Sequence, residues 1–128
     1  MDRFLGRHGE RIYTILRVVA GLLFACHGAQ KLFGALGGTA MTSNPMMLVA
    51  GIIEFGGGLL IALGFLTSWA AFLASGQMAV AYFKAHAPSS IWPTVNHGEL
   101  AALYCFLFLY IAAHGAGPYS MDAAMRKR

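Results

Sequence analysis

The sequence predicts an all-α fold: an integral membrane four-helix bundle, antiparallel, with both termini cytoplasmic. Three observations carry this expectation. First, 58% of the 128 residues are hydrophobic and only 11% are charged, whereas a soluble domain is about one-quarter charged. A chain this short and this apolar cannot cover itself with polar surface in water. The bilayer is its expected solvent, and one compact helical domain over residues 1–128 its expected content. Second, the apolar run Leu48–Phe65, LVAGIIEFGGGLLIALGF, approaches the ~20 residues that cross a bilayer core. Third, the basic residues gather at the chain ends: Arg3, Arg7 and Arg11 at the front, Arg126, Lys127 and Arg128 at the back. That is the positive-inside pattern, and it points to a lipid bilayer rather than nucleic acid as the partner.

Residues 1–10 are polar and basic and belong in the cytoplasmic headgroup region. Basic residues before an apolar run resemble a signal peptide. The run is too long for an h-region, however, and no clear small-x-small site follows directly, so it reads as a retained helix. The first helix is expected over about 11–33, with Arg17 shallow enough to snorkel to the inner surface. Gly21, Phe24, Gly28 and Lys31 share one stripe of it. Gly34–Asn44 reads as an outer loop. Asn44 then caps a second helix, about 45–66, with Pro45 in its first turn. Thr67–Ser68 is too short a connection for anything but an antiparallel hairpin, and either residue serves as cap for a third helix, about 68–86. Gln77, Ala81 and Lys84 form one stripe of that helix. Ala87–Val95, with Pro88, Trp92 and Pro93, reads as an outer interfacial loop. The fourth helix spans about 97–114, and a short amphipathic tail about 120–128.

Polar residues concentrate in the outer half of this arrangement. Counting ~1.5 Å per residue from the outer ends puts His27 ~9 Å and Glu54 ~13 Å down. Gln77 is deepest, while Lys84 and Glu99 lie nearer the surface. A carboxylate within a membrane segment costs at least ~2.5–3.5 kcal/mol unless partnered or hydrated. Glu54 therefore has two readings. It is a structural carboxylate paired with Lys31 or bonded to His27, or a proton-exchanging, ligand-orienting group. Asn96-x-x-Glu99 fits a capping box. Lys31, Lys84 and His86 fit interfacial snorkelling. The ligand-binding candidates are His27, Lys31, Glu54, Gln77, Asn96 and Glu99. No metal is expected, since no HxxxH or ExxH spacing occurs within one helix, and no two histidines lie at matching depth for a haem. Gly56–Gly58 is not a phosphate loop, because no lysine motif follows it. It suits a close helix approach, or room beside Glu54. Cys26 and Cys105 sit in apolar runs and read as small packing hydrophobes.

HGAQKLFG at His27–Gly34, IIEFGGGLLIALG in helix two, QMAVAYF at Gln77–Phe83, NHGELAALY at Asn96–Tyr104 and the tail GPYSMDA together resemble the DoxX family of small bacterial four-helix membrane proteins. The resemblance covers nearly the whole chain. Its motif positions are His27, Lys31, Glu54, Asn96 and Glu99, with His97 standing where members commonly have glycine. It implies a multi-pass protein of the bacterial inner (cytoplasmic) membrane. Family subunits are associated with quinol oxidase and thiosulfate:quinone oxidoreductase systems, and others with oxidative-stress complexes. Two functions follow as expectations. One is a redox-linked subunit whose polar site holds a quinone headgroup or small oxyanion at His27 and Lys31, with Glu54 exchanging protons and a partner carrying the redox centre. The other is a non-catalytic accessory subunit, packing through Ala70/Ala74, Ala81/Ala85 and Ala112/Ala116 beside other membrane subunits or a second copy of itself.

Overall fold

The computed structural model describes residues 1–126. Among them every regular element is helical. A short helix α1 (Asp2–Gly6) precedes α2 (Gly9–Phe33). Helix α3 (Pro45–Leu63) contains a π-helical turn over Ile53–Gly57. Helix α4 (Thr67–Ala81) continues into a second π-helical turn, Tyr82–His86. Then come α5 (Pro93–Asn96), α6 (Glu99–His114) and α7 (Met121–Arg126). Helices α2 and α3 are long and apolar enough to cross a membrane, while α6 is apolar but shorter.

Apolar burial accounts for how the long helices meet. Phe24 of α2 lies fully buried against Tyr104 and Phe108 of α6, with ring centroids 5.7 and 4.7 Å away. Ile61 of α3 and Ala71 and Ala74 of α4 complete the same core. Between α2 and α3 the contact is backbone to backbone. A Cβ on Gly21, Gly28 or Gly58 would overlap main-chain atoms of the opposite helix, so these small residues set the approach. The outward faces remain apolar, with Trp69, Phe106 and Leu103 among the most exposed side chains. Water would penalise such a surface and lipid would not.

Several boundaries differ from the sequence reading. Residues 2–6 are helical, and α2 begins at Gly9. Helix α3 ends at Leu63, because Gly64 adopts a left-handed φ of 73° and closes a Schellman motif: Phe65 N–H donates to Leu60 O and Gly64 N–H to Ile61 O. Helix α4 takes no cap from Thr67 or Ser68. Asp122 of the tail does that work from a distance, its carboxylate accepting from Leu66 N (2.9 Å) and Thr67 N (3.1 Å). Burial pushes the Asp122 carboxyl up, but these N–H groups and Arg126 outweigh it and hold it below the ordinary carboxylate value. Pro93–Asn96 forms a helical turn within the expected loop, so the fourth long helix begins at Glu99 rather than 97. Asn96 and Glu99 make no capping box: Asn96 Oδ1 accepts from Gly98 N at 2.7 Å, and no side chain caps α6.

The largest correction is Arg17. It does not snorkel but is 2% exposed. Its Nε donates to Ile61 O (2.9 Å), Nη1 to Ala116 O (2.5 Å), and Nη2 to Ala62 O (3.3 Å) and Tyr119 O (3.2 Å). These are carbonyls at or beyond helix ends, which lack intrahelical partners. A planar fork with five donors can serve several of them together. The terminal basic residues Lys127 and Arg128 lie outside the described residues.

Candidate functional site

The site begins with a register change. A π turn inserts wider winding into an α-helix and often marks a functional position. Here it carries Glu54, which is 2% exposed. Lys31, in the last turn of α2, donates from Nζ to Oε1 (2.7 Å) and Oε2 (2.5 Å) of Glu54. Among the described residues, both hydrogen bonds of the Glu54 side chain go to Lys31, and none goes to His27. Charge-assisted contacts of this geometry offset part of the desolvation cost of burying both groups.

This pair lies on the wall of a cavity of ≈ 830 Å³. His27 also lines it, its ring edge-to-face with Tyr104 at 6.4 Å. Gln77 enters from α4. Its Nε2 donates to Ala50 O at 3.4 Å, and its buried Oε1 has no hydrogen-bond partner among the described residues. The cavity walls are otherwise mostly apolar, including Phe24, Ile53 and Met78. The second π turn contributes Lys84 and His86, and His97 lies near them on the wall. His86 Nδ1 sits 3.1 Å from Asn96 O, and His97 has a left-handed φ of 61°.

Of the six candidates, His27, Lys31, Glu54 and Gln77 converge on this cavity, and Asn96 and Glu99 do not line it. Asn96 is buried in the loop, donating from Nδ2 to Ser90 O (2.6 Å) and Tyr82 Oη (3.1 Å), while Glu99 is exposed in the first turn of α6. Lys84, His86 and His97 are the residues the candidate set omits. A signal for Lys84 is present in the sequence, since it shares a stripe with Gln77 and Ala81. Small residues proposed for outside contacts are partly used inside: Ala70 and Ala74 are core, and Ala81 and Ala85 line the cavity. No trio of His, Cys, Asp or Glu that could hold a metal ion converges among the described residues. The site can therefore offer an ammonium paired with a buried carboxylate, an amide and imidazoles to a polar group, and apolar wall to the rest of a ligand.

The DoxX family profile matches residues 12–87, a span that includes His27, Lys31, Glu54, Gln77 and Lys84. The chain is also 41% identical to an uncharacterized protein of Haemophilus influenzae over 131 aligned positions, covering 97% of this chain and 98% of that one. No solved structure matches. A profile covering more than half of the residues, together with a relative matched along nearly its whole length, makes this membrane protein a member of the DoxX family.

Proposed function

We propose that the chain is a single-domain, multi-pass protein of the bacterial inner membrane, and that its cavity binds the headgroup of a membrane quinone. In this reading the four long helices cross the bilayer as an antiparallel bundle with both termini cytoplasmic, and the cavity lies in the outer half. The observation that carries the proposal is the Lys31–Glu54 pair, its carboxylate buried, on the wall of a mostly apolar cavity. A volume of ≈ 830 Å³ falls within the ~300–1,000 Å³ of small-molecule sites. Lys31 Nζ is a donor suited to a quinone carbonyl, Glu54 is placed to exchange the proton that accompanies reduction or oxidation, and Gln77 supplies a further polar contact. The redox centre resides in a partner subunit, and this chain contributes binding and proton handling.

The test uses the purified protein in nanodiscs and measures binding of a short-tailed benzoquinone. Wild type should bind it, and Glu54→Gln, which keeps size and hydrogen bonding, should retain the fold and lose most of that binding and any quinone-linked turnover of the native complex. Undiminished binding in Glu54→Gln would overturn the proposal and favour the accessory-subunit role.

A further inference from the structure

The glycines divide by what a side chain would meet. At Gly21, Gly28 and Gly58 it would strike the opposite backbone. Gly76, like Gly56 and Gly57 of the first π turn, is of another kind. It lies inside α4, its φ is not positive, and a Cβ built on it has nothing within 4 Å. Glycine in a helix interior costs about 1 kcal/mol relative to alanine, and here neither backbone conformation nor packing against protein requires it.

What surrounds Gly76 is the cavity. It lines the wall, and so do Phe72 and Val80, one turn away on either side. Phe72 and Val80 are 60% and 56% exposed on the outer apolar surface. Across from them, Met46 and Val49 of α3 line the same space and are 52% and 56% exposed. The cavity thus opens sideways between α3 and α4, onto the surface that lipid would cover. The Lys31–Glu54 pair stands at its α2–α3 side.

We infer that Gly76 is a portal residue. It keeps a lateral slot open, through which the apolar tail of an amphiphile passes into the bilayer while its polar head stays at Lys31 and Glu54. The inference rests on the quinone reading of the cavity. It adds the tail as a determinant of specificity and the lipid phase as the route of entry. A Cβ at position 76 meets no protein atom within 4 Å, so a side chain there would start in the open slot and obstruct a tail.

The test compares wild type, Gly76→Phe and Gly76→Ala in phosphatidylcholine nanodiscs. The probes are a benzoquinone with a two-isoprenoid tail and the same ring without a tail. In Gly76→Phe, binding of the tailed quinone should fall by about tenfold, with binding of the bare ring unchanged. Gly76→Ala should show a smaller loss together with a raised Tm. Undiminished tailed binding in Gly76→Phe overturns the portal, and so does an equal loss of both probes. If Gly76→Phe does not fold, a graded loss of tailed binding through Gly76→Ala and Gly76→Leu supports the portal, and no loss overturns it. The underlying cavity reading is checked separately. If Glu54→Gln loses both probes while Gly76→Phe loses neither, only the portal fails. If wild type binds neither probe, both readings fail.

Discussion

The two members of the Lys31–Glu54 pair are buried unequally, and that asymmetry has consequences. The Glu54 side chain is 3% exposed and that of Lys31 is 25%. Lys31→Met strands a buried carboxylate with no cation, a change of the kind that costs about 3–5 kcal/mol. Glu54→Gln instead leaves an ammonium on a long stem that still reaches polar surroundings. Thermal unfolding in detergent should therefore show a larger Tm loss for Lys31→Met than for Glu54→Gln. The double variant Lys31→Met/Glu54→Met should recover much of that loss, because an apolar pair carries no desolvation penalty. Equal losses in the two single variants would mean the pair is hydrated and does not hold α2 against α3.

At the level of elements, α4 begins where the chain offers it no cap of its own. Leu66 is left-handed, with φ 50°, and the orphan N–H groups of Leu66 and Thr67 turn to Asp122. The backbone returns the contact, Asp122 N–H donating to Gly64 O at 2.8 Å. Asp122→Ala should cost about 1 kcal/mol, the usual loss for removing a helix cap. The pH dependence has a definite sign. The folded carboxyl titrates below its ordinary value, so its stabilisation is complete above that value, ~3.9, and is lost as pH falls through the lower, folded one. Asp122→Asn should flatten the acid limb of the stability–pH curve while keeping part of the cap. An unchanged acid limb would show that the carboxylate contributes no charge-dependent stability.

Across the whole molecule, one side chain joins three stretches of chain. Arg17 ties α2 to the end of α3 through Ile61 and Ala62, and to the segment after α6 through Ala116 and Tyr119. Ser120 packs against Gly64 in the same place, so the tail is seated on the α3–α4 connection. Arg17→Lys is not conservative here, because a single ammonium with three donors cannot reproduce the planar fork. In Arg17→Lys and Arg17→Met, hydrogen exchange should rise over residues 115–123 and at the start of α4, which depends on Asp122 for its cap. Exchange confined to the substituted turn would mean the tail is held independently of Arg17.

By itself the sequence determined the solvent and the family resemblance, and it supplied four side chains that the structure brings to one cavity. Composition and the end-loaded basic residues implied the membrane. The extents of the long helices followed from apolar runs and turn residues to within a few positions, and the pairing of Glu54 with Lys31 stood among the stated alternatives. Helical periodicity carries that information because it is local. What the tertiary structure decided is non-local or breaks the period. Two π turns, Ile53–Gly57 and Tyr82–His86, interrupt the 3.6-residue winding at Glu54 and at His86. Asp122 caps a helix more than fifty residues earlier. Arg17, which depth alone would send to the interface, is drawn inward because carbonyls from two chain segments, the end of α3 and the stretch after α6, converge on it. Asn96 and Glu99 share a motif with the site in sequence, yet loop hydrogen bonding holds one and solvent surrounds the other. Gly76 reads as one more small residue until the packed neighbours of Gly21, Gly28 and Gly58 show, by contrast, that it has none.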